Sequence, residues 1–99
     1  GKMIKGKTFN IILLKDLNLE NKILVGYTAT KRIGNAIKRN KAKRIMRELS
    51  RKIIAEYGKI NTYYVMIAKS SIFDIPFISQ KNELKKLISW LIKKYTSLQ

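Results

Sequence analysis

Arginine side chains are confined to one short stretch of this sequence. All five lie between residues 32 and 51, and residues 31–52 hold ten of the 22 basic residues with a single acid, Glu48. The planar guanidinium group binds phosphate through two parallel hydrogen bonds and stacks on nucleobases, whereas lysine acts as a flexible point charge. This segment therefore indicates recognition of a polymer that carries phosphate.

Groups that could perform nucleophilic, acid–base or metal chemistry are scarce. The chain has no cysteine and no histidine, which excludes a thiol nucleophile, a thiolate zinc site and the commonest general base. Its six carboxylates are scattered, and no two of them lie within three residues of each other. A fold could still bring two or three of them together, but nothing in their spacing indicates a metallonuclease or a glycosidase pair, so we assign no catalytic or metal-binding residue from the sequence.

The overall charge favours a polyanionic partner. The 99 residues carry 22 basic and 6 acidic side chains, a net charge of +16, while a hydrophobic content of 45% is ordinary for a folded chain. We expect one domain over residues 1–99, since this length leaves no room for a second core. Nucleic acid is favoured over an anionic membrane surface. The apolar runs are far shorter than the roughly 20 residues of a membrane helix, and no signal peptide is visible, so we expect a cytoplasmic protein.

Alternation and turn residues predict three strands. Residues 9–14 and 23–30 read as two strands joined by a polar region, 16–22, that is typical of a hairpin loop. Residues 62–68, which are aromatic or β-branched for the most part, read as the third. Together with two helices, the predicted order is strand, strand, helix, strand, helix. This order indicates an α+β fold in which helices pack on a small sheet.

Capping residues and apolar spacing define the two helices. The first should run from about Ala36 to Glu56, capped by Asn35 and stopped by Gly58, and the second from the cap Ser79 to about Tyr95. Trp90 falls partly opposite the apolar stripe of the second helix, so we expect it to be half exposed. The predicted buried stripes are Ala42, Ile45, Met46, Leu49, Ile53 and Tyr57 in the first helix, and Leu84, Leu87, Ile88, Leu91 and Tyr95 in the second.

Charge and apolar residues lie on different faces of the first predicted helix. Asn40, Arg44, Arg47 and Arg51 follow i, i+4, i+7 and i+11, with Lys43 beside them, and we call this set the arginine stripe. The alternative is that this face is merely solvated, but a solvated helix face normally carries both positive and negative side chains. Like charges at this spacing cost about 0.2–0.5 kcal/mol per pair, a cost that polyanion binding would offset.

The strand at 23–30 has two different faces. Ile23, Val25, Tyr27 and Ala29 form a bulky side that suits packing beneath a helix. The opposite side is small and becomes polar toward its end; its residues are Leu24, Gly26, Thr28 and Thr30. This side could stay open for an extended chain, and the equally weighted alternative is that Gly26 marks a bulge or a close packing contact.

The basic segment closely resembles the signature of the bacterial ribonuclease P protein subunit. Residues 31–48 read Lys-Arg-Ile-Gly-Asn-Ala-Ile-Lys-Arg-Asn-Lys-Ala-Lys-Arg-Ile-Met-Arg-Glu. In that family, a basic loop and Gly-Asn-Ala lead into a helix with an Arg-Asn-Arg triplet, here Arg39-Asn40-Lys41. The flanks, Lys5-Gly6-Lys7, Val25-Gly26 and residues 64–68, also match, so the resemblance covers nearly the whole chain.

The resemblance implies a defined activity and fold. Members of this family bind a large catalytic RNA and the 5′ leader of precursor tRNA. The RNA, with Mg²⁺, hydrolyses the phosphodiester that yields the mature 5′ end, so that the holoenzyme is an endoribonuclease to which the protein supplies no catalytic side chain. The implied fold is an α-β sandwich with a left-handed βαβ crossover, in place of the right-handed crossover that is otherwise the rule.

The resemblance also assigns residues. The family's catalytic-RNA contacts match Arg39, Asn40, Lys41, Lys43, Arg44 and Arg47, and its leader cleft matches Thr28 and Arg32. Adding the basic loop and the last arginine of the stripe, the expected RNA-binding residues are Lys31, Arg32, Arg39, Asn40, Lys41, Lys43, Arg44, Arg47 and Arg51. The implied partners are the catalytic RNA and precursor tRNA, and the implied cofactor is Mg²⁺ held mainly by the RNA.

Two features depart from the family pattern. The family's basic tail and first helix, with its cleft phenylalanine, have no counterpart upstream of Lys5-Gly6. The strand at 9–14 has Leu13 or Leu14 where the family has an aromatic residue, and Phe9 either replaces that aromatic or, with twice the weight, packs in the core. The alternative function is a structural or ribosomal-type RNA-binding protein with no role in cleavage. A protein-only nuclease is a third, disfavoured by the scattered carboxylates.

Overall fold

Four strands and two helices make up the structure. The computed structural model describes residues 2–15, 17–58 and 61–97. The elements are β1 (Lys2–Lys5), β2 (Phe9–Lys15), β3 (Ile23–Thr28), α1 (Ala36–Tyr57), β4 (Thr62–Ala68) and α2 (Phe77–Ser97). Single 3-10 turns lie at Leu17–Leu19, Lys31–Ile33 and Ser70–Phe73. The α+β class predicted from the sequence is confirmed.

The strand order differs from the prediction. The sheet runs β1-β2-β4-β3, with β1–β2 and β2–β4 antiparallel and β3–β4 parallel. The predicted hairpin between 9–14 and 23–30 is therefore wrong, because β4 lies between those strands. β3 and β4 are parallel neighbours connected through α1, and the left hand expected for this crossover stays a prediction.

The hairpin of this fold lies one strand earlier, between β1 and β2. β1 was not predicted, because Lys-Met-Ile-Lys is too short and too charged to show strand periodicity. It exists through pairing with β2, in the register Ile4↔Ile11. A charged edge strand of this length is also protected against pairing with other chains.

The predicted ends of the elements hold to within three residues. α1 begins at Ala36 as expected and ends beside Gly58, whose φ of −73° is one that any residue adopts. Glycine is needed there for space, because a Cβ would clash with the Ile54 carbonyl oxygen. The predicted cap Ser79 is wrong, because α2 begins at Phe77 and Ser79 lies within its first turn, where the carbonyl of Pro76 accepts from the Gln80 N–H at 3.1 Å. β3 stops at Thr28, because Thr30 already starts the next turn by accepting from the Ile33 N–H at 3.0 Å.

Both helices cover the same face of the sheet. One core joins Phe9, Ile11, Leu13, Tyr64, Met66 and Ala68 from the strands with Ala42, Met46, Leu49, Ile53 and Ile54 from α1 and Leu84, Ile88 and Leu91 from α2. The predicted stripes are confirmed, with Ile45 and Leu87 partly buried. The side chains of Tyr57 and Tyr95 lie outside the described residues. Phe9 is fully buried, so its predicted core role is confirmed.

The turn between β1 and β2 is fastened to α2 by a carboxylate. Glu83 accepts hydrogen bonds from the backbone N–H groups of Lys7 at 2.9 Å and Thr8 at 3.1 Å. The Ser71 hydroxyl donates to the Lys7 carbonyl at 2.6 Å, and the Lys69 ammonium donates to the carbonyl of Gly6. The single acidic residue of α2 is thus used to hold the hairpin.

Removing this carboxylate should loosen the hairpin. We expect Glu83→Ala to lower the free energy of unfolding by about 1.5–3 kcal/mol, because two backbone donors lose a charged acceptor. Urea denaturation followed by circular dichroism measures this. Glu56→Ala, an exposed carboxylate on α1, is the matched control and should stay within about 0.5 kcal/mol of the parent. Equal losses in the two variants would contradict the assignment.

Candidate nucleic-acid interface

The junction between the basic loop and α1 is held by local geometry. The Asn35 side-chain oxygen accepts from the Lys38 N–H at 3.0 Å, which confirms the predicted cap. Gly34 has a φ of +138°, a conformation that L side chains rarely adopt, and an added Cβ would meet the Lys38 side chain at 2.8 Å. Ile33 is buried and anchors the loop to the core. Lys31 and Arg32 are exposed on this fixed loop.

The arginine stripe is presented to solvent as the spacing predicted. Asn40, Arg44, Arg47 and Arg51 are all exposed, and Lys43 beside them is partly so. α1 carries eight basic and two acidic residues. Glu48 lies 3.9 Å from Arg51, and an exposed pair of this kind contributes at most about 1 kcal/mol. Most of the positive charge of α1 is therefore left for an external partner.

Tyr27 of β3 positions one member of the stripe. The Arg47 guanidinium lies over the Tyr27 ring, 5.7 Å from its centroid. The Ser50 hydroxyl donates to the Arg47 carbonyl at 3.0 Å, so the Tyr27 hydroxyl donates in turn to Ser50. Sequence reasoning placed Tyr27 in the core and missed this second role, since a hydroxyl at the rim of an apolar face leaves no signal in strand alternation.

The remaining expected contacts lie on other sides of α1. Arg39 is half-buried, and Lys41 is exposed with its ammonium 5.8 Å from the centroid of the Phe73 ring. Lys52 stands similarly over Phe77 at 5.6 Å. α1 thus presents cations toward β3 on one side and toward the start of α2 on the other.

The sheet face away from the helices is open, and an aromatic side chain covers part of it. Thr28 is exposed there, and Leu24 and Tyr63 are 43% and 36% exposed. A Cβ on Gly26 would lie 2.7 Å from the Tyr63 hydroxyl, whereas the β3–β4 register continues without a bulge. Gly26 therefore makes a close packing contact. Tyr63 was not singled out from the sequence, although its place in the alternation of β4 puts it on this face.

Across residues 2–15, 17–58 and 61–97, no three His, Cys, Asp or Glu side chains lie close enough to hold an ion together. In the same described part of the chain, no helix has the length and apolar character needed to span a bilayer. The candidate site consists of the exposed basic residues on α1 and its loop.

The fold and this surface define a class of protein. The chain has the α-β sandwich of solved ribonuclease P proteins. It superposes on the RNase P protein from Thermotoga maritima with a TM-score of 0.76, at 24% identity, over 89% of this chain and 81% of that one. It also superposes on the Staphylococcus aureus RNase P protein with a TM-score of 0.72, at 22% identity, over 94% of this chain and 82% of that one. Such identities show the fold.

The sequence comparisons show the family. The ribonuclease P family model matches residues 1–91. The ribonuclease P protein component of Mycoplasma capricolum is 33% identical over 88% of this chain and 78% of that protein. The component of Ruegeria pomeroyi is 43% identical over 50% of this chain, which spans only 39% of that relative. This chain belongs to the ribonuclease P protein family, as the signature at 31–48 indicated.

Two asparagines of this region, Asn35 and Asn40, should differ in their contribution to the stability of the fold. We expect Asn35→Ala to lower the free energy of unfolding by about 1 kcal/mol through loss of the cap. Asn40→Ala should leave it unchanged or raise it slightly, because Asn40 is exposed and alanine favours helix. Urea denaturation of both variants gives the comparison. A comparable loss for Asn40→Ala would mean that Asn40 supports the fold.

Proposed function

We propose that this protein binds the catalytic RNA of ribonuclease P through the arginine stripe and its loop, and the 5′ leader of precursor tRNA through the open face of the sheet. In the holoenzyme it assists the Mg²⁺-dependent hydrolysis that gives the mature 5′ end of tRNA. The observation that carries the proposal is the arginine stripe, a row of exposed guanidinium groups on a helix with little charge compensation. Because the chain belongs to the ribonuclease P protein family, the RNA that we expect this row to bind is the catalytic RNA of ribonuclease P.

The stripe suits a structured RNA because part of it is positioned before binding. Arg47 lies over Tyr27, and the Ser50 bridge ties its backbone to the same ring. A side chain already held in place loses less conformational entropy when it binds. Arginine also offers two donors to a phosphate, so the stripe can follow a folded backbone more specifically than lysines could.

The open face suits a single-stranded segment. Thr28 ends β3 at an edge of the sheet, and Arg32 follows in the next turn, so a hydroxyl and a guanidinium group belong to the same edge. Leu24 and Tyr63 offer exposed apolar and aromatic surface on which bases can lie. An extended leader on this face would reach the basic loop at its polar end.

The RNA subunit carries out the hydrolysis of the phosphodiester. Mg²⁺ is held mainly by the RNA subunit, and the protein contributes charge and position. The support is the residue inventory, since a chain without histidine or cysteine and with scattered carboxylates has few groups for proton transfer or ion binding. The expected contribution is a lower need for Mg²⁺, because protein cations neutralise phosphates that free ions would otherwise screen.

Reconstitution with a cognate catalytic RNA tests the function directly. We expect the protein to lower the Mg²⁺ concentration needed to cleave precursor tRNA, and to help most when the leader is long enough to cross the open face. A substrate with a single-nucleotide leader is the matched control. If cleavage at low Mg²⁺ is unchanged, the protein is a structural RNA-binding protein. Cleavage by the protein alone would instead make it a nuclease.

The salt dependence of RNA binding tests the stripe. We expect Arg44→Ala with Arg47→Ala to weaken binding of the catalytic RNA and to reduce the slope of log K against log salt by about 1.4–1.8, the value for two lost phosphate contacts. Lys15→Ala with Lys22→Ala removes the same charge from exposed strand ends and is the control. An equal effect of both pairs would show that net charge alone drives binding.

A further inference from the structure

The outer face of α2 carries an exposed tryptophan among lysines. Lys86, Trp90 and Lys93 follow i, i+4 and i+7, so they share one side of the helix, which we call the Trp90 face. Trp90 is 48% exposed, and both lysines are exposed. The indole therefore presents about half of its surface to solvent between two cations, and an indole ring combines a large apolar surface with a polar N–H.

The surface around Trp90 is shallow and basic. A depression of about 380 Å³ is lined by Lys85, Lys86, Ser89, Trp90 and Lys93, with no carboxylate among them. The small Ser89 side chain leaves room beside the indole. The one acid of α2, Glu83, already accepts from the backbone N–H groups of Lys7 and Thr8, so it is fastened to the hairpin.

A second depression extends this face toward the hairpin. Its volume is about 640 Å³, and Lys86 lines both depressions. Lys5 and Lys7 of the hairpin stand across it and are exposed. Lysine side chains therefore continue from α2 onto β1 and its turn, and the one carboxylate that lines this depression, Glu83, is engaged by the backbone of the turn.

The Trp90 face and the arginine stripe belong to opposite edges of the sheet. The stripe borders β3, where Arg47 lies over Tyr27, whereas α2 holds the β1 turn through Glu83. β1 and β3 are the two edge strands. Three strand spacings of about 4.8 Å separate them, roughly 14 Å before the helices are added. One bound RNA segment at the stripe thus leaves the Trp90 face accessible.

We infer that the Trp90 face is a second RNA-binding surface, which takes an unpaired single-stranded segment by stacking a base on Trp90 while Lys86, Lys93 and the hairpin lysines neutralise its phosphates. An aromatic platform within a basic groove is the common solution for binding single strands, because every base has a π-face and every nucleotide a phosphate. The two surfaces also differ in their cations. All five arginines lie at 32–51, in α1 and its loop, whereas the basic residues of the Trp90 face are lysines.

A single strand fits this face better than a membrane does. Interfacial helices bury a broad apolar side containing several large residues. Here the residues that line the depression together with Trp90 are Lys85, Lys86, Ser89 and Lys93, and the apolar residues Leu84, Ile88 and Leu91 are buried in the core. One indole offers a base its stacking surface but gives lipid little to hold.

The fluorescence of Trp90 tests the inference, because it is the only tryptophan of the chain. We expect a short oligoadenylate to quench its emission, and an RNA duplex of equal length to do so far less. The quenching should persist in the Arg44→Ala, Arg47→Ala variant, which has lost the stripe. Inorganic polyphosphate supplies the charge without the bases and should leave the emission nearly unchanged.

Variants then separate stacking from charge, with a labelled oligoadenylate as the probe. Trp90→Leu should weaken binding at least about fivefold, the lower end for one stacked base, while Trp90→Phe keeps most of the affinity. Lys86→Gln with Lys93→Gln should weaken it comparably, and Lys15→Gln with Lys22→Gln should not. Circular dichroism confirms that each variant is folded.

Several outcomes would overturn the inference. Equal quenching by polyphosphate would show an anion site without stacking. A blue shift with anionic phosphatidylglycerol vesicles, without a response to oligoadenylate, would make the face a membrane contact. Loss of quenching in the stripe variant would show that there is one RNA surface. The reconstitution assay separates this result from the proposed function, because it can succeed while the Trp90 face binds nothing.

Discussion

β4 is hydrogen-bonded along both of its sides, antiparallel to β2 and parallel to β3, and the other elements take their positions from it. A parallel neighbour requires a long crossover connection, and α1 is that connection. Because the crossover must lie on the sheet, α1 is pressed against β3 and β4 along its apolar side. Its opposite side is thereby directed to solvent, and this is the side that carries the arginine stripe.

The charges on α1 are tolerated because its apolar side is so well buried. Like-charged neighbours at helical spacing cost about 0.2–0.5 kcal/mol per pair. Full burial of a Leu, Ile or Met side chain contributes about 1.5–3 kcal/mol. α1 buries Met46, Leu49, Ile53 and Ile54 almost completely, so burial outweighs repulsion, and the outward residues are free to serve a polyanion.

Polar side chains at the rim of the core connect the fold to its surfaces. The Tyr27 hydroxyl joins β3 to α1 through Ser50, and its ring carries Arg47. The Glu83 carboxylate joins α2 to the hairpin and thereby brings Lys5 and Lys7 opposite Lys86. In both places one side chain stabilises a contact between elements and also arranges the cations beside it.

The sequence by itself determined the features that depend on local spacing and side-chain type. These are the two helices, β4, the Asn35 cap, the buried stripes, the exposed arginine stripe and the signature that identifies the family. Only the tertiary structure decided the strand order, the existence of β1, the contact of Tyr63 with Gly26 and the support of Arg47 by Tyr27. The strand order and the two tyrosine contacts depend on hydrogen bonds or packing between residues far apart in the chain, such as β2 with β4, whereas β1 depends on pairing with the strand that follows it. Local periodicity shows which side of a strand is apolar, but it does not show which strand lies beside it.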